Sequence, residues 1–186
     1  MPNVVRIISP FIVNGNPDTM NVQLTQSPTA PGSFTPYAPG DLGASFDLND
    51  KTYEVVLLDS GATSATGVGA VTAGQVAFWK SKTLRTVTNN FQQCLTPTVP
   101  ANSVAGIFRS ALTPGTYGSL ICVLTRGAAI TVAAGTTALG STVMAGAVAS
   151  TANVITATGV FTQIGIARTA DSGGFATVDV DIPNLP

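Results

Sequence analysis

Apolar residues along this chain come in short runs, and where a period is visible it is two. The cleanest case is Phe175–Ile182, in which Ala176, Val178, Val180 and Ile182 fall on one side and Thr177, Asp179 and Asp181 on the other. That alternation predicts a strand with one buried face and one wet face. Thr52–Leu58 runs apolar through Val55-Val56-Leu57-Leu58 and reads as a core strand. Further candidates are Gln75–Lys80, Leu84–Thr88, Val104–Arg109, Tyr117–Leu124, Ala128–Ala133, Ser141–Val148, Asn153–Ala157 and Phe161–Arg168. Gly, Pro and Asn punctuate them at the spacing of sandwiches and barrels. No stretch carries a sustained helical stripe. Ser141–Ser150 (STVMAGAVAS) is the one segment compatible with a short helix. The pattern predicts an all-β fold, a compact β-barrel or β-sandwich domain of short antiparallel strands.

Seven of the twelve prolines lie in the first 39 residues. Proline blocks helix interiors and central strands and favours extended chain. Residues 1–45 are therefore expected to form an extended Pro-rich N-terminal arm, with one short edge strand around Met20 to Leu24, and residues 46–186 the β-domain. An arm of this kind buries little against itself. It lies across its own domain or reaches a neighbour.

One word occurs twice. Ala105-Gly106-Ile107-Phe108-Arg109-Ser110-Ala111 is echoed by Ile164-Gly165-Ile166-Ala167-Arg168-Thr169-Ala170. Each copy is followed by a Gly-bearing turn, an aromatic residue (Tyr117; Phe175) and an apolar strand. The same β-hairpin is expected in both places.

Composition narrows the chemistry. Hydrophobic residues make up 45% of the 186 positions, enough for a packed core, but charged residues only 9%. Eight basic and nine acidic side chains leave no surplus to neutralise phosphates, so no nucleic-acid partner is expected. A surface this poor in charge is expected to be covered by other copies or a larger assembly. Histidine is absent, which removes the commonest general base and the usual triads. Cys94 and Cys122 lack metal-ligand spacing and read as buried thiols, with pairing left open. No cofactor or metal is expected. The uncharged stretch from Gly127 to Ala167 is too rich in Thr, Ser and Gly for a membrane span, so no membrane partner is expected. The segment MPNVVRIISPFIVNG is a poor signal peptide, which points to the cytoplasm as the place of synthesis.

Two places have the look of a catalytic turn. Glu54–Gly67 (EVVLLDSGATSATG) leads an apolar run into Asp59-Ser60-Gly61, as in a retroviral-type aspartic protease, and Asp171-Ser172-Gly173 repeats the triplet. Such an enzyme needs two carboxylates sharing one proton, supplied by homodimerisation when each chain holds one. Asp59 is the only catalytic candidate on this alternative. The pattern lacks a glycine-rich flap, and Asp171 sits where a hairpin turn is expected. Lys80, Lys82 and Arg85 near Phe78 and Trp79 read as a hairpin, VAFWKSKTLRTV, with a solvated tip. An exposed Trp79 would suit a second alternative, a head-fibre or adhesin module that binds host glycan.

From Tyr53 onward the order of words is familiar: Tyr53-Glu54-Val55-Val56, an Ala/Gly/Thr-rich loop, Ala73-Gly74-Gln75-Val76-Ala77-Phe78-Trp79-Lys80, Thr86-Val87-Thr88-Asn89, Asn102-Ser103-Val104-Ala105-Gly106-Ile107, Thr113-Pro114-Gly115-Thr116-Tyr117, Arg126-Gly127 and a terminal Gly165-Ile166-Ala167 hairpin. This resembles the small β-rich capsid decoration (cement) proteins of tailed bacteriophages, over Tyr53 to Ile182. The resemblance implies a virion structural protein and not an enzyme. It would be assembled in the host cytoplasm and bound to the outer surface of the head, where it bridges major capsid subunits. It implies a homo-oligomer, a trimer at local threefold positions. The arm apolars Val4, Ile7, Ile8, Phe11, Ile12 and Val13, with Phe34 and Tyr37, are the expected contacts to the partner.

Overall fold

The computed structural model describes residues 16–24, 42–60, 71–90, 104–145, 152–154 (backbone alone) and 163–183. A 3-10 turn, Pro17–Thr19, leads into β1 (Asn21–Gln23). There follow β2 (Ser45–Leu48), β3 (Lys51–Leu58), β4 (Val76–Ser81), β5 (Thr86–Thr88), β6 (Val104–Ile107), β7 (Ser119–Ala133), β8 (Thr142–Ala145), β9 (Ala152–Val154), β10 (Gln163–Ala167) and β11 (Phe175–Asp181). The fold is all-β, as the sequence pattern predicts.

Five strands close a barrel in the order β3-β5-β4-β6-β7, with β7 returning to β3 along the register Thr52↔Arg126 to Leu58↔Ser119. The seam between β6 and β7 is one residue pair wide, Ile107↔Leu124. The sequence pointed to antiparallel pairing throughout, but β3 and β5 run parallel, Leu57↔Thr86 and Leu58↔Val87. The β4–β5 hairpin has to lie alongside β3 in that sense for the barrel to close. The second half of β7 leaves the barrel and carries a further sheet, β7-β11-β10-β8-β9.

Burial explains the two kinds of hydrophobic run. In β3 the residues Tyr53 to Leu58 are all buried, and so are Ser119 to Leu124 of β7. Their side chains feed two clusters on opposite faces. Val55, Leu57, Leu120, Cys122 and Leu124 join the larger cluster, continuous with Val132, Val178 and Val180 of the second sheet. Val56, Leu58, Ala77, Trp79, Val87, Ala105, Ile121 and Val123 make the smaller one, drawn from every barrel strand. In β11 and the second half of β7, burial alternates because one face of that sheet is open.

Three boundaries differ from the sequence reading. Tyr117–Leu124 and Ala128–Ala133 are one coiled strand, because Arg126-Gly127-Ala128-Ala129 is an irregularity within it and not a turn. Ala129 takes φ +53° there and the β11 register slips between Val178 and Val180. The strand expected from Leu84 starts at Thr86, since Arg85 (φ +49°) belongs to the β4–β5 turn. Thr142–Ala145 is strand β8, inside the expected strand Ser141–Val148, and settles that segment against the short helix that its sequence also allows. Finally β2, at the boundary between arm and domain, pairs with β3 through an Asn49-Asp50 turn (φ +51° and +59°) that the Pro-rich composition concealed. The short strand expected around Met20 to Leu24 is β1, paired to β7 at Asn21↔Ile121, Val22↔Leu120 and Gln23↔Ser119.

The echoed words do build related pairs. β6 and β10 each run antiparallel to the next strand in the chain. Each word's glycine sits where that strand passes close. A Cβ on Gly106 would stand 2.8 Å from Val123 Cβ, and one on Gly165 would strike the Asp179 carbonyl.

Candidate functional site

Across the open face of the second sheet lies a groove of about 670 Å³. Asp47 and Asp50 border it from the β2–β3 hairpin, Arg126 and Ala128 from β7, Ile166 from β10, and Asp179 and Asp181 from β11. Alternation puts Asp179 and Asp181 on this face, as the sequence indicates. Gly165 keeps β10 tight against β11, which sets the depth of the floor.

The carboxylates of the groove differ in how firmly they are held. Arg168 Nε lies 2.7 Å from both oxygens of Asp179, and the Ala129 N–H donates to it at 2.9 Å. The Arg168 hydrogen bond, then that N–H, holds the Asp179 carboxyl below its ordinary range. Thr52 donates its hydroxyl to Asp47 at 2.6 Å. Asp181 is exposed and only loosely paired with Arg126 at 4.0 Å. With Ile166 half exposed beside these acids, the face can take a mixed apolar and polar protein surface. Among the described residues no group of three or more His, Cys, Asp or Glu is placed to hold a metal ion.

A second focus is Asp18, in the 3-10 turn ahead of β1. Asn16 caps that turn by accepting from the Asp18 N–H at 3.0 Å. The Asp18 carboxylate then accepts from the Tyr53 hydroxyl at 2.7 Å and lies 3.4 Å from Arg109 Nε and 3.8 Å from Lys51 Nζ. Burial, then the hydrogen bond to Asp18, pushes the Tyr53 phenol far above its usual range. Next to it Met20 Sδ is 3.8 Å from the thiol of Cys122. Cys122 is a buried free thiol, and burial pushes it up to about 12.

The two Asp-Ser-Gly triplets have separate settings. Asp59 leaves the end of β3, its N–H donating to the Val87 carbonyl at 2.9 Å and its carboxylate held by Lys80 Nζ at 2.8 Å. Asp171 accepts from the Thr137 N–H at 2.9 Å and so ties the β7–β8 connection to the β10–β11 hairpin. The tip of that hairpin is Gly173-Gly174, φ +60° and +82°, with Ser172 and Phe175 exchanging backbone hydrogen bonds. These are the angles of a two-residue turn that matches strand twist.

Trp79 is buried, with the Arg85 guanidinium 5.6 Å above its ring, so it offers no face to a sugar. The hairpin expected from VAFWKSKTLRTV is β4–β5. Its basic residues turn back onto the fold, Lys80 to Asp59 and Arg85 to the buried Glu54. The expected partner contacts Val4, Ile7, Ile8, Phe11, Ile12, Val13, Phe34 and Tyr37, and also Cys94, lie outside the described residues. Among the described residues no helix is long and apolar enough to cross a membrane.

The sequence reading missed Asp18 and the rim of the groove. Asp18 follows a proline in a stretch read as arm, and nothing local signals that its partners stand at positions 51, 53 and 109. The rim was within reach: Ser45–Tyr53 (SFDLNDKTY) alternates around Asn49-Asp50, which is a hairpin signal. Set against protein-family models and against curated proteins by sequence, the chain matches none.

Proposed function

We propose that this protein is a virion structural protein, a capsid decoration protein of a tailed bacteriophage. It binds the outer surface of the head as a homo-oligomer, a trimer, and bridges adjacent major capsid subunits. One observation supports the reading beside the order of words along the chain: the basic side chains are neutralised in pairs that cross between elements. Lys51, Lys80, Arg85, Arg109, Arg126 and Arg168 each reach a carboxylate on another element. With these pairs neutralised and a net charge of -1, little uncompensated charge is left, and Leu84, Tyr117, Leu139, Ile166 and Phe175 are exposed. That composition suits a barrel buried among neighbours.

The mechanism is additive. Each copy covers apolar surface on two capsid subunits, and the icosahedral lattice repeats the contact, so a modest single-site energy becomes a clamp on the shell. The arm residues from Val4 to Val13 extend the contact beyond the barrel. The test is co-sedimentation of the purified protein with expanded heads. Binding at fixed stoichiometry together with a raised disruption temperature is expected, and deletion of residues 1–15 lowers the affinity while the barrel stays folded. A chain that never associates with heads overturns the reading.

A further inference from the structure

Residues 16–24 form a strap laid over the barrel wall. It is held by the three-pair ladder of β1 on β7, by the contacts of Asp18, and by the Leu24 N–H on the Gly118 carbonyl at 3.0 Å. The strap continues through residues 25–41 to Leu42 and β2. In a single chain the two ends of that connection stand close together. Gly118 lies against the Leu58 carbonyl, and the Gly43 N–H donates to the Val55 carbonyl. Three residues along β3 and three strand spacings across amount to roughly 18 Å.

The connecting sequence contains Pro28, Pro31, Pro36 and Pro39. A Pro-rich segment of that length extends to about 50 Å. Its four prolines oppose the tight reversal that a return over so short a span asks for, and its length is sufficient to reach a neighbouring copy. The socket, for its part, cannot tell the two apart, because a second copy brings an identical strap. The seam is also lightly made. Asn21 Oδ1 is buried there without a hydrogen-bond partner among the described residues. Leaving and re-forming such a seam costs less than removing a core strand.

We propose that in the assembled protein the strap Asn16–Leu24 is exchanged between copies, each chain's Asp18 seating against Tyr53 and Arg109 of another. The inference rests on the self-association proposed above and names what joins the copies: a strand and an ion pair given in trans.

Met20 lies across from Cys122 in the β1–β7 register, with the two sulfurs 3.8 Å apart. A Met20→Cys, Cys94→Ser chain can therefore close a disulfide there. Treated with a copper oxidant as the native oligomer and run denatured, it is expected to shift from the monomer band to multimers that reductant collapses. A tagged Met20→Cys, Cys94→Ser, Cys122→Ser chain co-expressed with a Cys94→Ser chain can close the bond only between chains, and a mixed band is expected. A disulfide confined to single chains overturns the proposal, and so does a chain that stays reduced, because Met20 then faces Cys122 in neither arrangement. If the oligomer persists while the disulfide is intrachain, exchange fails and the assembly reading stands. If no oligomer forms in solution or on heads, both fall. The unaltered chain gives a second measurement. A carbodiimide joins Asp18 to Lys51, 3.8 Å away, and is expected to give multimers that Asp18→Asn abolishes; monomers alone overturn the exchange.

Discussion

Arg85 Nη1 lies 2.9 Å from Oε1 of Glu54, a carboxylate only 3% exposed in the middle of β3. The same guanidinium covers the ring of Trp79. To reach both, Arg85 takes φ +49° in the β4–β5 turn, a strained angle for a side-chain-bearing residue. Burial raises the Glu54 carboxyl above its ordinary 4.5, and the charge of Arg85 pulls it back in part. The pair thus fastens the β4–β5 hairpin to β3 at the parallel seam of the barrel.

Removing Arg85 leaves Glu54 buried and unpaired. Arg85→Ala is expected to cost about 1–3 kcal/mol, below the full price of a buried pair because the Arg85 side chain is 38% exposed. An acid whose folded-state value is raised binds protons more tightly when folded, so its ionisation costs stability as pH rises through that value. The Arg85→Ala deficit should therefore be larger at neutral pH and shrink as pH falls toward 4.5. Adding Glu54→Gln should recover part of it at neutral pH. Urea unfolding of the three chains at two pH values measures both effects.

The two echoed glycines should respond unequally to alanine. At Gly106 the new methyl meets the Val123 side chain and the Leu124 carbonyl, and the side chain has some room to give. At Gly165 it meets the Asp179 backbone, which can move only by opening β10 from β11. Gly106→Ala is expected to cost about 1–3 kcal/mol and Gly165→Ala more, on the scale of overpacking and of a disrupted ladder. Chemical denaturation ranks them, and the reverse order would mean that the second hairpin yields more easily than its geometry implies.

Those glycines also mark what the sequence made legible. Period-two alternation was enough to find β11 and its wet face, since Asp179 and Asp181 interrupt the apolar positions. Apolar runs located β3 and β4. The β3–β5 parallel pair was hidden because it joins Leu57 to Thr86 across a gap no local pattern spans. Asp18 was hidden for the same reason: its partners Tyr53 and Arg109 are brought to it by the barrel and by no spacing along the chain. The groove was half legible, with its β11 floor readable and its Asp47–Asp50 rim obscured by the prolines just before it.

Asp18 gives an optical prediction. Its hydrogen bond is the second cause, after burial, of the high Tyr53 ionisation range. Asp18→Asn should lower the pH at which Tyr53 ionises without returning it to normal, because burial remains. It should also loosen the strap at a cost of about 1–2 kcal/mol, the scale of a hydrogen bond to a charged group. Ultraviolet titration of the phenolate reads the first effect. Hydrogen exchange at Ser119 to Ile121, the β7 residues paired with β1, reads the second as faster opening.

Asp59 separates a structural turn from a catalytic one. A protease dyad needs a second carboxylate close enough to share a proton, whereas Asp59 faces the Lys80 ammonium at 2.8 Å. In the structural role its side chain joins the end of β3 to β4, and its N–H continues the ladder to Val87. Asp59→Asn keeps the shape and the N–H and removes the ion pair, whose Lys80 partner is 41% exposed. The expected loss is below about 1 kcal/mol, with binding to heads unchanged. Peptide cleavage by the parent chain that disappears in Asp59→Asn would sink the decoration reading and make the triplet a nucleophile-activating site after all. With no cleavage in either chain and equal occupancy on heads, Asp59-Ser60-Gly61 is the exit from a core strand, and its likeness to a catalytic loop comes from what both must do, which is turn sharply after an apolar run.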